Sequence, residues 1–259
     1  MEKQTWKDNL GKATHLLATS EHVIALIGAG MSVESGIPPF RGPGGLWTKY
    51  GEPSMNGYQD FLQNPKGWWE RRIAQEEKGE KSELQEAMEG AEPNPGHYAL
   101  AELERMGILK YSITQNVDNL QYVAGCTNVA AIHGSVDRLR CISCNFRMKK
   151  NVVSLEVLPP RCPQCGGIVK SDGVGFGEPI PSDTIAVCNE QAALSDCVLL
   201  LGTSGTVYPA AAFPQEIYRR GGCLIEVNPY ETALTPACDV ILRGPTGEVL
   251  PRLVESLGK

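Results

Sequence analysis

The stretch that decides the fold runs from His22 to Trp47 and reads HVIALIGAGMSVESGIPPFRGPGGLW. Its first six residues, 22–27, form a short continuous apolar run rich in Ile and Val, the pattern of a strand buried on both faces of a parallel sheet. Gly28-Ala29-Gly30 follows, a turn in which backbone N–H groups can approach a pyrophosphate. A dehydrogenase fingerprint needs a third glycine at position 33, but Val33 stands there and the next glycine is Gly36. Pro38, Pro39, Phe40 and Arg41 then occupy ground where a helix might have continued. The segment thus begins as a dinucleotide unit and ends as a loop carrying an aromatic and a cation.

Working outward, similar runs recur at 111–114, 128–132, 197–201, 223–227 and 239–242. Helical patterns fall between several of them, over 95–106, 183–194 and 209–220, and another closes the chain over 246–257. The alternation predicts an α/β fold, a Rossmann-like doubly wound parallel sheet. Two segments interrupt it. Residues 61–92 are charged and largely helical, and 138–170 hold four paired cysteines. We expect a single domain, 1–259. Its large Rossmann-like lobe takes about 1–40, 93–137 and 171–259. The smaller lobe takes a loop and helical module at about 41–92 and a zinc ribbon at about 138–170.

The chain has 259 residues, 42% of them apolar, and a net charge of −6. It carries no basic footprint for nucleic acid, no run long enough to span a bilayer and no apolar leader core. We therefore expect a soluble cytoplasmic protein with no direct nucleic-acid or membrane partner. Cys141 and Cys144 are spaced Cys-x-x-Cys, as are Cys162 and Cys165, with seventeen residues between the pairs. Two such turns supply four thiolates to one tetrahedral Zn(II), which is structural because four cysteines leave no position for water. The other five cysteines, 126, 188, 197, 223 and 238, mostly sit in or beside apolar runs and read as small core residues.

Polar residues gather where strands end, which is where α/β enzymes place their chemistry. Gly202-Thr203-Ser204 follows the run at 197–201, and Thr206 in the last position excludes a Gly-x-Ser-x-Gly elbow. Asn228 ends another run, as a ribose ligand or as a simple Asn-Pro turn. Gln115, Asn116 and Asp118 follow 111–114, either as a site or as caps for a helix starting near 118. Of four histidines, His133 has the position of a reacting group, although a lone histidine is more often structural.

These parts together resemble the sirtuins, the NAD-dependent protein-lysine deacylases, in their prokaryotic form. The match runs from about residue 20 to the end. It includes GAGMSVESGIPPFRG, PNPGHYALAELE, TQNVDNL, HGS, both cysteine pairs, FGEPIP, GTSGTVYPAA, VNP and GEVLP. The resemblance implies that NAD binds between two lobes, and that acyl groups, acetyl foremost, leave lysine side chains of proteins or peptides to give nicotinamide and O-acyl-ADP-ribose. It implies His133 as general base, with Asn116 and Asp118 orienting the ribose and the carboxamide. Phe40 would shield the reactive face and Arg41 would help position the cofactor. Other cofactor contacts implied are Gly28, Ala29, Gly30, Ser35, Pro38, Trp47, Gln115, Gly202, Thr203, Ser204, Asn228 and Thr246. The peptide would enter as an extended strand between Val174–Glu178, including Phe176 and Gly177, and the region of Val207.

Some positions depart from the family pattern. Gly173 and Gly175 replace bulky apolar residues, and Gln121 stands where histidine is common. Desuccinylating and demalonylating relatives carry Tyr-x-x-Arg, where this chain has Trp69 and Arg72. Arg72 could pair with an acidic acyl group or simply face solvent. Trp68 and Trp69 could wall an acyl pocket, for longer chains as well, or pack a core. Protein mono-ADP-ribosylation is the other activity that the same cleavage could serve, and a sensor without turnover is a third reading.

Overall fold

The computed structural model describes residues 2–258, with side chains from Thr5 onward. Met1 and Lys259, the ends of the expected large lobe, lie outside the described residues. Among the described residues nine strands lie in two sheets: β1 Val23–Ile27, β2 Leu109–Thr114, β3 Val129–Ala131, β4 Arg138–Cys141, β5 Arg147–Lys149, β6 Val169–Ser171, β7 Cys197–Leu201, β8 Cys223–Val227 and β9 Val240–Leu242. The helices are α1 Glu2–Thr19, α2 Leu46–Tyr50, α3 Gly57–Gln63, α4 Pro65–Glu77, α5 Glu83–Met88, α6 Pro95–Arg105, α7 Leu120–Val123, α8 Ser182–Leu194, α9 Ala212–Arg219 and α10 Thr246–Leu257.

The larger sheet is parallel, in the order β3-β2-β1-β7-β8-β9. Its central strand shows why the run at 22–27 is apolar throughout. Val23, Ala25 and Ile27 join one core with residues of α1, α6 and α10, while Ile24 and Leu26 join the other with α8 and α9. A strand covered by helices on both faces has no solvent side to mark with polar residues. The chain leaves β1 toward β2 and later returns to pair β7 on the other side of β1. The carboxyl ends of β1 and β7 therefore flank the topological switch point, where an open α/β sheet has its crevice.

The smaller sheet is antiparallel, in the order β5-β4-β6, and presents Leu139, Met148 and Val169 to a separate core with Cys141 and Cys162. Trp69 of α4 fills that core, only 3% exposed, and its indole N–H donates to the Val169 carbonyl at 2.8 Å. The helical insertion and the zinc ribbon are thus packed onto each other by one large side chain. Of the two roles weighed for Trp69, pocket wall or core packing, the ring occupies the core position in this structure. Among the described residues no helix is long and apolar enough to cross a membrane.

Sequence-derived bounds hold to within a residue or two for most elements. The helix expected over 209–220 begins later, at Ala212, because 208–211 form a turn. The helix expected near 118 starts at Leu120, with Asn119 in the left-handed region at φ 65°.

Candidate active site

The two glycine turns meet at the switch point. Gly28 N–H donates to the Leu201 carbonyl and Gly30 N–H to that of Gly202, both at 2.9 Å. A Cβ on Gly28 would stand 2.6 Å from Thr203 Cα, and one on Gly30 would stand 2.7 Å from Gly202 Cα. Backbone touches backbone here, so only glycine fits, and the Gly28 and Gly30 N–H groups are already paired with carbonyls of the second turn. The two turns together form a close-packed glycine cradle at the switch point.

Behind it a polar chain crosses from β2 to the first loop. Asn116 Nδ2 donates to Gly28 O and to Ser32 Oγ, each at 3.1 Å, and the Ser32 hydroxyl donates to Asp118 Oδ2 at 2.7 Å. The other Asp118 oxygen accepts from Leu120 N–H at 3.0 Å, so Asp118 is both a helix cap and a crevice residue. Burial raises the Asp118 carboxyl above its ordinary value, opposed by the bonds from Leu120 and Ser32. Gln115 Nε2 donates to Thr203 Oγ1 at 2.9 Å and joins the two strand ends.

His133 follows β3. Its Nδ1 lies 3.1 Å from the Gln115 carbonyl, and burial moves its pKa below the ordinary histidine value. A carbonyl only accepts, so Nδ1 carries the proton in the neutral ring and Nε2 is left with its lone pair.

A pocket opens beside this chain. Ala29, Ser32, Ile37, Pro38 and Phe40 line one side, and Asn116, Val117 and Asp118 line another. Leu84 and Met88 of α5 complete it. Neither had been anticipated; an apolar pair four residues apart in an acidic helix was the available signal. Ser32 was also missed, although it lies within the opening stretch.

The loop beyond Phe40 stacks aromatics toward the 174–178 segment. Phe40 and Trp47 have ring centroids 4.9 Å apart, and Trp47 meets Phe176 at 5.5 Å. Arg41 lies 4.4 Å over the Trp47 ring and pairs with Glu52 at 3.0 Å. Val174 N–H donates to the His133 carbonyl at 2.9 Å, Gly177 packs against the Met55 carbonyl, and the Val207 carbonyl accepts from Ala211 N–H. Glu178, expected beside a peptide, has its carboxylate buried against Arg140 and Lys170.

Other expected contacts are used partly within the protein. Ser35 Oγ accepts from Asn94 Nδ2, and Ser204 Oγ bonds Thr206 Oγ1. Asn228 Oδ1 accepts from Tyr230 N–H at 3.1 Å and its Nδ2 donates to Thr203 O at 3.2 Å, the geometry of a turn. Thr246 is buried, with no hydrogen-bond partner for its hydroxyl among the described residues. Arg72 pairs with Glu76 at 3.4 Å and lies 5.5 Å over the Trp68 ring.

The four cysteine sulfurs all lie within 4.8 Å of one another. Neighbouring Sγ atoms are 3.4 to 3.8 Å apart. A tetrahedral zinc with bonds of about 2.3 Å sets its sulfurs about 3.8 Å apart, so the set fits the ion. Asn145 at φ 59° and Gly166 at φ 72° turn the chain tightly after each pair, and a Cβ on Gly167 would strike Cys141 Sγ at 2.9 Å.

Comparison with known proteins agrees with this geometry. Residues 28–209 match the model of the Sir2 family. An NAD-dependent protein deacylase of Pyrococcus abyssi is 44% identical, over 95% of this chain and 97% of its own. An NAD-dependent protein deacylase 2 of Pyrobaculum aerophilum is 43% identical, over 93% of each. A Sir2 homologue–NAD complex superposes with a TM-score of 0.76 at 40% identity, covering 96% of this chain and 93% of that one. A Sir2–p53 peptide–NAD+ complex does so with 0.75 at 30%, covering 96% and 98%. The chain belongs to the Sir2 family.

Proposed function

We propose that this protein is an NAD-dependent protein-lysine deacylase that uses His133 as its base and Asn116 and Asp118 as the residues orienting the reacting groups. NAD, when bound, supplies an electrophilic ribose carbon and nicotinamide as leaving group, and the acyl group passes to the ADP-ribose product. What supports the reading is one convergence: Gln115 holds His133 Nδ1 through its carbonyl and reaches Thr203 of the second glycine turn through its side chain, while Asn116, next in sequence, opens the Asn116–Ser32–Asp118 chain.

Nε2 of His133 accepts a proton from a hydroxyl, and the Gln115 carbonyl steadies the imidazolium that results. The Asn116 amide and the Asp118 carboxyl, fixed by Ser32, present rigid polar groups beside the pocket. Phe40 closes the pocket's outer side against water. Zn(II) on Cys141, Cys144, Cys162 and Cys165 holds the small lobe together and takes no part in the reaction.

The substrates are acyl-lysine proteins or peptides, bound as an extended strand between 174–178 and the region of Val207. Neutral acyl groups, acetyl first, are favoured over succinyl, because Arg72 is already engaged by Glu76 and Trp68. The division into lobes follows the two sheets, with 41–92 and 138–170 forming the small lobe. We place the protein in the cytoplasm, where a reducing milieu keeps its cysteines as thiols.

The test uses purified protein, NAD and one peptide carrying acetyl, butyryl, myristoyl or succinyl lysine, with products followed by mass spectrometry. Free lysine and O-acyl-ADP-ribose from the neutral series are expected. ADP-ribose attached to protein with no deacylated peptide would establish the transferase instead.

A further inference from the structure

A buried charge cluster lies between the zinc-lobe sheet and the segment 173–178. The side chains of Arg140, Lys170 and Glu178 are 3%, 6% and 2% exposed. Arg140 and Lys170 face each other in register across β4 and β6, so both cations stand on the same face of the sheet. Glu178 pairs with Lys170 Nζ at 3.0 Å and with the Arg140 guanidinium. Asp172 lies 3.2 Å from Arg140 Nε and 3.3 Å from Arg147 Nε.

This cluster also holds backbone. Lys170 Nζ donates to the carbonyls of Ser171 at 2.8 Å and Gly173 at 2.7 Å. Gly175 N–H donates to Glu178 Oε2 at 2.8 Å. Between these two ties, Val174 N–H donates to the His133 carbonyl. Three successive residues are therefore fixed from two sides, by the charge cluster and by the strand end that carries His133. A Cβ on Gly173 would meet nothing within 4 Å, and one on Gly175 only the Glu178 carboxylate at 3.6 Å. A segment with two glycines and so little side-chain packing has no order of its own.

Burying several charges is an expensive way to gain stability, since apolar replacements of such clusters are often as stable or more so. Specified geometry is the better account. We propose that Lys170 and Arg140 are positioning residues for the substrate strand. Acting through Glu178, they fix the backbone of 173–175 and so place the 174–178 loop offered to the acyl-lysine peptide in register with His133. The proposal rests on the reading of 174–178 as the peptide loop.

The experiment is steady-state kinetics on the full-length zinc-loaded protein, varying acetyl-lysine peptide and NAD separately. Lys170→Met should raise the peptide KM about tenfold, with the NAD KM within about twofold of wild type. Lys170→Arg should recover most of the loss. Glu178→Gln, similar in shape but uncharged, should raise the peptide KM as Lys170→Met does, with zinc content unchanged. An unchanged peptide KM in both neutral variants overturns the positioning role, as does an equal rise in both KM values. So does a Lys170→Arg protein as defective as Lys170→Met. Should Lys170→Met fail to fold or lose zinc, Glu178→Gln decides by the same criterion. A wild type that consumes no acyl-peptide overturns the functional reading and this proposal together, whereas an active wild type with unresponsive variants overturns this proposal alone.

Discussion

His133 Nδ1 stands 3.1 Å from the backbone carbonyl of Gln115, and that single contact assigns the tautomer. Because the proton sits on Nδ1, the free lone pair on Nε2 is the atom available to take a proton from substrate.

The contact has a pH consequence. Burial lowers the His133 pKa below the ordinary value of 6.5, so the ring stays neutral through neutrality and gains its proton only in more acid solution. The acid limb of kcat/KM should therefore lie below pH 6.5, with the rate falling as pH falls through it. His133→Ala should reduce deacylation by about 10²–10⁴-fold while NAD still binds. Rate–pH profiles of wild type, with calorimetric NAD titration of the variant, check both; an acid limb above pH 6.5 would contradict the burial argument.

His97 carries a different pH effect, on stability. Its Nδ1 accepts from Asn94 N–H at 3.2 Å, and Nε2 is buried with no hydrogen-bond partner among the described residues. Burial pushes its pKa down to about 4. Between pH 6.5 and 4 the unfolded chain binds a proton there that the folded chain refuses, so stability is lost as pH falls through that window. Lowering the pH from 7 to 5 should remove about 2 kcal/mol through this group. Urea midpoints at both pH values, for wild type and His97→Gln, measure it: the variant should lose less.

Gly30 tests the cradle. A Cβ there meets Gly202 Cα at 2.7 Å, and two backbones cannot yield as a side-chain tip would. Gly30→Ala should weaken NAD binding at least about tenfold, while Gly57→Ala, where a Cβ meets nothing within 4 Å, should leave it unchanged. Equal dissociation constants for the two variants would remove the close-contact argument.

Trp69 joins the two insertions. Trp69→Ala should cost about 3–5 kcal/mol through the cavity it leaves, while Trp69→Phe, which keeps most of the ring and leaves the Val169 carbonyl unpaired, should cost about 1–3 kcal/mol. Denaturant unfolding gives both values. Activity on butyryl and acetyl peptides in Trp69→Phe should keep the wild-type ratio, because the ring faces no acyl group.

Zinc should be needed for the small lobe and not for the reaction. Chelation, or Cys144→Ser, should abolish peptide turnover together with loss of near-UV signal from Trp68 and Trp69. Readdition of Zn(II) to the chelated wild type should restore both; cobalt replacement should give an active protein with tetrahedral thiolate absorption.

Much of this was legible in the chain because it depends on local pattern. The buried run at 22–27, the glycine turns and the two Cys-x-x-Cys pairs each carry their geometry in residue type and spacing. Ser32 was not legible: a serine in a loop gives no sign that it will bond Asn116 and Asp118, 84 and 86 residues further along the chain. Asp118 was ambiguous between cap and site because one oxygen accepts from Leu120 N–H at a helix start and the other from Ser32 beside the pocket. Glu178 looked like a loop residue facing peptide, and only the pairing of β4 with β6 revealed two cations waiting beneath it.

The sequence by itself determined the parallel sheet, the position of its crevice and the four-cysteine cluster suited to zinc, since apolar runs, glycine turns and metal-ligand spacing act over a few residues. Tertiary structure alone decided which nitrogen of His133 is free, where Trp69 points and what holds the 173–178 segment. Those depend on groups brought together from distant parts of the chain, where burial, hydrogen-bond direction and charge pairing are set by packing and not by neighbours in sequence.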